Sequence, residues 1–228
     1  MARFVIDYKK YGYIKYTSHL DMLRLFKRAF KRAGIELEYS NGFNPHPKMG
    51  FALPLSLGYE SLCEMVEFET EQKITKEEVA ERLKKIMPEG LEITGCRILP
   101  TEGKSLAALV DKASYEIILP SDFEGMAECD FAGLSENFMR QNEIIVMKLS
   151  KKDKRGRRTE KPLDIRRMLH SFEISSKGGH QVISMTADCG SNSNLSPELV
   201  IQAFLKFAKL EIPRHEIDVK RIGIEFVK

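Results

Sequence analysis

The chain has 228 residues, 43% of them hydrophobic and 30% charged, with a formal net charge of +3. That balance is globular, and the length suits one large domain or two of about 100 residues each. No apolar run approaches the roughly 20 residues that cross a bilayer, and the opening MARFVIDYKK meets charge too soon for a secretory leader, so a cytoplasmic location is the expectation. The net charge hides a segregation. Residues 1–50 carry 10 basic and 4 acidic side chains, residues 51–147 carry 9 and 19, residues 148–167 carry 10 and 3, and the remainder balances. Two basic blocks around an acidic one predict a basic surface if folding brings the blocks together.

In chain order, residues 2–8 alternate and predict a strand. Ser18 is placed to cap a helix over 18–33, with Asp21 completing a capping-box variant. Leu20, Leu23, Phe26, Ala29 or Phe30, and Ala33 form its apolar face, and Gly34 ends it. The other face carries Arg24, Lys27, Arg28, Lys31 and Arg32, like charges at helical spacing that call for acidic neighbours or a polyanion. Residues 35–40 predict a short strand. Residues 38–61 are too dense in proline and glycine for regular structure. A strand follows at 63–71, then a helix opened by Thr75 with Glu78 and stopped at Pro88 and Gly90, then a strand at 91–99. This β-α-β-β-α-β order is the split βαβ, or ferredoxin-like, unit.

The second half predicts the same order. Strands are expected near 114–120 and 143–149, with a helix within 121–140 bearing Phe131, Leu134 and Phe138 on one face. After a basic segment and a short helical or irregular stretch at 162–169, two strands flank Lys177-Gly178-Gly179. A helix opens at Ser196-Pro197, and a last strand covers 216–227. The predicted class is α+β, two tandem ferredoxin-like halves with antiparallel sheets, at 1–103 and 104–228.

Three stretches are candidates for chemistry. The run 148–167 offers Lys151, Lys152, Lys154, Arg155, Arg157, Arg158, Arg166 and Arg167 to phosphates, beside the cations of the 18–33 helix. Tyr8, Tyr11, Tyr13 and Tyr16, interleaved with lysines, can stack on bases. Within 40–51, Gly42, Phe43, Asn44, Pro45, His46, Pro47 and Lys48 predict a stiff loop. Pro45 and Pro47 pin His46, Asn44 and Lys48 are presented as ligands, and Phe43 and Phe51 anchor it to the core. His19, Asp21 and His46 are candidate acid–base groups. The loop 189–198 leads into a helix N-terminus that favours anions. Cys63, Cys96, Cys129 and Cys189 are too far apart for a chelate ring, so no metal or iron–sulfur cluster is expected in this chain.

The stretches Y-T-S-H-L-D-M-L-R (16–24), Y-S-N-G-F-N-P-H-P-K-M (39–49), L-P-L-S-L-G-Y-E-S (53–61) and N-L-S-P-E-L (194–199) resemble the radical SAM-linked protein family, whose members are encoded beside, or fused to, a radical SAM protein. The resemblance covers nearly the whole chain. It implies a separate radical SAM partner that carries the iron–sulfur cluster and SAM. The tandem ferredoxin-like reading also resembles RNA-binding proteins such as CRISPR-repeat endoribonucleases, although this chain lacks a good match to their glycine-rich loop. Three functions follow as expectations. The first is an RNA-binding accessory subunit that presents tRNA or rRNA to the radical SAM enzyme for modification. The second is a protein-docking module for that enzyme, without nucleic acid. The third is an RNA-processing hydrolase using His19 and His46.

Overall fold

In the computed structural model, which describes residues 1–124, 126, 129–149, 156 and 158–227, the first elements are β1 (Ala2–Lys10), a 3-10 turn (Gly12–Tyr16), α1 (His19–Arg32), β2 (Met49–Phe51), β3 (Glu60–Thr70), α2 (Lys76–Lys84), β4 (Leu91–Leu99) and α3 (Leu106–Leu109). They are followed by β5 (Val110–Leu119), α4 (Phe131–Arg140), β6 (Ile145–Leu149), β7 (Glu160–Asp164), β8 (Leu169–Lys177), β9 (His180–Asp188), α5 (Pro197–Ala208) and β10 (Asp218–Phe226). The chain is α+β, and its strand pairing is mostly antiparallel. Two units separate: Met1–Asp111 with Lys220–Lys228, and Lys112–Val219. The sequence places all of 104–228 in the second half. Residues from 220 onward belong instead to the first unit, because β10 pairs in parallel with β3 at Lys220–Glu60 and Arg221–Ser61.

In the first unit β1 lies between β4 and β3, antiparallel to both, and β2 runs antiparallel along β3 from Met49–Phe68 to Phe51–Val66. α1 lays Met22, Phe26, Ala29 and Phe30 on this sheet. The Phe30 and Phe68 rings lie 4.5 Å apart and those of Tyr8 and Phe26 5.0 Å apart. Leu20, expected on that face, is exposed, because the buried stripe Met22–Phe26–Ala29–Phe30 keeps helical spacing two residues out of step with it. The caps form as expected. Ser18 Oγ accepts from Asp21 N–H at 3.2 Å. Beyond Ala33, Gly34 takes φ +64°, and Ile35 N–H reaches Phe30 O at 2.9 Å, closing a Schellman motif. Thr75 and Glu78 form the full capping box of α2. At Gly90, with φ +84°, Tyr11 N–H bonds the Gly90 carbonyl at 2.9 Å, and a Cβ would strike Tyr11 O and Ile14.

The expected strand at 35–40 does not form. Glu38 N–H reaches Glu69 O at 2.8 Å, and Tyr39 makes a lone bridge to Pro47. Residues 49–51 take the β3 edge instead, so the second strand of the unit starts nine residues after the expected one ends. In the second unit β9 pairs antiparallel with β5 and with β8, and Phe138, Phe172 and Phe204 cluster with centroid separations of 4.9 to 5.5 Å. Phe131 and Phe138 of α4 are buried, while Leu134 is half-buried. Residues 162–164, the start of the stretch expected at 162–169 to be helical or irregular, instead close β7, which pairs with β6 in a separate two-stranded ribbon. Pro162 hides that strand in the sequence. In a ribbon each strand has an open edge, where a residue without an N–H costs little.

Candidate nucleic-acid interface

The outer face of α1 carries Arg24, Lys27, Arg28, Lys31 and Arg32, all exposed. The core takes the opposite stripe, so the helical period leaves these five to solvent. Arg24 pairs with Asp21 at 2.9 Å. Among the described residues, the other four have no carboxylate within ion-pair distance. The face borders two grooves. One, of about 610 Å³, is lined by Lys27, Arg28 and Lys31 of α1 and by Ile35, Glu36, Leu37 and Tyr39 of the segment that follows it. The second, of about 460 Å³, lies between Arg24, Arg28 and Arg32 and the residues after α2, Ile86 and Pro88. Arg28 borders both.

Residues 38–48 form a pin. Lys48 N–H donates to Glu38 O at 2.7 Å, Ser40 N–H to His46 O at 2.8 Å, and His46 N–H to Ser40 Oγ at 3.0 Å. Beside the prolines expected to restrain Gly42, Asn44, Pro45, His46 and Pro47, the segment is cross-bonded, with Gly42 at φ +124° in the turn. Phe43, expected to anchor the loop, is fully exposed at the tip, and Phe51 alone reaches the core. The turn that Gly42 permits carries position 43 away from the sheet. Lys48, expected as a ligand-binding cation, is engaged with Glu69 at 2.9 Å across the β3 edge. Asn44 and His46 are exposed.

His19 opens α1, its ring 5.4 Å from that of Phe51 at the mouth of a small pocket with Tyr8, Lys10 and Glu64. His46 stands on the pin and does not line that pocket, so the two histidines are not brought together there. Asp21 is committed to the cap. The Ser18 hydroxyl, then Arg24, hold its carboxyl below the usual range, and Ser18 Oγ–H donates to it at 2.7 Å. Among the described residues no group of three or more His, Cys, Asp or Glu is placed to hold a metal ion. The cysteines among them are free thiols, and burial, with Asp7 and Glu77, pushes Cys96 up to about 12.

Of the basic run, Lys151, Lys152, Lys154, Arg155 and Arg157 lie outside the described residues, while Arg158 is exposed. Arg167 is exposed. Arg166, expected to contact phosphate, instead donates from Nε to Met139 O at 2.9 Å, serving a carbonyl in the last turn of α4. The 189–198 loop is a capping loop. Ser196 caps α5, and Ser193 Oγ donates to the Asp188 carboxylate at 2.6 Å, so the loop carries a negative charge of its own. Tyr8 is buried, whereas Tyr11, Tyr13 and Tyr16 are exposed and the Lys15 ammonium lies 5.6 Å from the Tyr16 ring centre.

Two features are absent from the sequence reading. Tyr39, half-exposed at 53%, lines the larger groove; its motif was visible, but its placement depends on residues 35–40 failing to form a strand. Glu64 and Arg221 form an ion pair at 2.7 Å with side chains 2% and 3% exposed. Arg221 also donates to Leu53 O at 3.2 Å and Pro54 O at 2.9 Å, fixing the start of the 53–61 stretch. Glu64 falls in step with Val66 and Phe68, on the core side of β3, and out of step with Glu67 and Glu69, so the alternation marks it as inward-facing, but its partner lies 157 residues on and no local pattern names it.

A family model described as "Uncharacterized protein conserved in bacteria (DUF2344)" matches residues 3–197. No curated protein matches the chain.

Proposed function

The chain belongs to this bacterial family, and from that premise we propose that it is an accessory RNA-binding subunit that presents tRNA or rRNA to a separate radical SAM enzyme for modification. The observation that carries RNA binding is the outer face of α1, where four of five cations lack a carboxylate partner among the described residues and border two open grooves. A helix that keeps unneutralised like charges at i, i+4 spacing gains stability when phosphates arrive and counterions leave. The radical SAM partner, with its iron–sulfur cluster and SAM, rests on the resemblance of the 16–24, 39–49, 53–61 and 194–199 stretches.

We read both units as ferredoxin-like. The β4-β1-β3-β2 neighbours of the first unit support this. In the second, β5, α4, β8, β9 and α5 follow the same order with the β6–β7 ribbon inserted. A second reading, docking of the radical SAM protein without RNA, draws on the exposed Tyr13, Tyr16, Leu20 and Leu57, where the Tyr16 ring lies beside Gly58.

Fluorescence anisotropy with tRNA and rRNA fragments at about 50 and about 200 mM salt tests the first reading. Four phosphate contacts predict a roughly 50- to 150-fold loss of affinity across that range. Replacing Lys27, Arg28, Lys31 and Arg32 by Ser removes this salt-dependent part. Absence of binding at low salt overturns the reading and leaves the docking module.

A further inference from the structure

We propose that the larger groove takes an unpaired stretch of RNA, with Tyr39 and Phe43 stacking on bases while Lys27, Arg28 and Lys31 hold the phosphates. This rests on the RNA reading and names the form of RNA that the site selects. One wall of the groove is cationic and the other is not. Ile35, Leu37, Tyr39 and Pro47 give it an apolar and aromatic side, with Glu36 as the one carboxylate in the lining, so phosphates are held along the cationic wall and bases along the other. A duplex presents sugars and phosphates outward and keeps its base faces stacked inside, so that wall has nothing to meet on an A-form helix. An unpaired strand offers both halves at once, phosphates along one edge and base faces along the other. The groove's volume, about 610 Å³, holds a short segment of strand.

The pin supplies the second argument. Tyr39 and Pro47 are bridged at its base, and their side chains form part of the groove wall. Its tip carries Phe43, with the whole ring in solvent. A ring held outward on a cross-bonded turn costs solvation in the free protein and loses little entropy on binding, as a stacking platform requires.

The test uses the full chain and two labelled RNAs with equal phosphate number, an unstructured ten-nucleotide strand and a hairpin duplex, compared at each of two salt concentrations, about 50 and about 200 mM. The single strand is expected to bind about tenfold or more tighter. Tyr39→Ala and Phe43→Ala should each weaken the single strand by about 5- to 150-fold, leave the duplex unchanged and leave the salt slope intact. Tyr39→Phe should restore binding. Both side chains are solvent-facing, so circular dichroism should not change. Because the chain has no Trp, Tyr39→Trp adds a lone reporter whose emission the single strand should quench. Equal affinity for the two RNAs, or alanine variants that bind the single strand like wild type, overturns this inference and leaves α1 as a general RNA contact. Failure of both RNAs to bind at low salt overturns the RNA reading with it.

Discussion

α1 and α2 sit in the same unit and treat their charges in opposite ways. α2 neutralises itself: Lys85 pairs with Glu81 at 2.7 Å, Arg82 approaches Glu78 at 3.9 Å, and Glu78 closes the capping box. α1 pairs Arg24 with Asp21 in its first turn and then leaves Lys27, Arg28, Lys31 and Arg32 without carboxylates among the described residues. A surface helix with no ligand has every reason to follow α2, since like charges at i, i+4 spacing cost a few tenths of a kcal/mol per pair. The contrast therefore teaches where a partner is missing, which net charge alone does not.

The largest effect calibrates what a charge is worth when its partner is obligatory. Glu64→Gln strands Arg221 in the core and should cost about 3–5 kcal/mol in urea unfolding, while the double change Glu64→Leu with Arg221→Met should cost far less. A Glu64→Gln protein as stable as wild type would mean that the pair is open to water. Next, the four-Ser variant of α1 should lower the slope of log affinity against log salt by roughly 2.8–3.6 while each substitution moves stability by less than about 0.5 kcal/mol. The matching Ser variant of Arg82, Lys84 and Lys85 on α2 should leave RNA affinity where it was. Equal losses from the two helices would erase the contrast.

Thr75→Ala should cost about 1 kcal/mol at neutral pH. Glu78's carboxyl is held below its usual range, first by the Thr75 backbone N–H and then by the Thr75 hydroxyl. Its contribution is present above the unfolded carboxylate value and is lost as pH falls through the lowered one, so the wild-type advantage should shrink on moving to about pH 3 in thermal unfolding. The smallest effect is a gain. Lys27→Glu, in mid-helix, gives Lys31 a partner at i, i+4 and Arg24 one at i, i−3 and should stabilise the protein by about 0.2–0.5 kcal/mol while weakening RNA binding. Loss of stability there would show that the cations are already compensated.

Local chemistry was legible and edge competition was not. Ser18, Gly34, Thr75 with Glu78, and Ser196 with Pro197 act within a few residues of themselves, so their helices and ends could be read directly. Residues 35–40 have the composition of a strand, but whether they become one depends on which segment reaches the β3 edge, and Met49–Phe51 does. The same event sends Tyr39 to the groove and Phe43 to the pin's tip. Lys48 and Arg166 looked like free cations because their partners, Glu69 and the Met139 carbonyl, lie across a strand edge and at the end of a helix. The α1 cations were legible because one helical turn sets their face. That four lack carboxylates could be learned only from what surrounds them.

The placement of β10 has a consequence for how the protein is made. Arg221, which completes the Glu64 pair, is separated from it by 157 residues, and the pairing at Glu60 and Ser61 waits for the same strand. At about 5–20 residues per second, synthesis leaves the N-terminal unit without its last strand for roughly 8 to 30 s. During that interval Glu64 lacks Arg221 and has Lys10 as the cation beside it, and the outer edge of β3 near Glu60 stands open to other strands. The first part of the chain to be translated is thus among the last to finish folding, and deleting residues 218–226 should damage that early part, leaving it prone to aggregate.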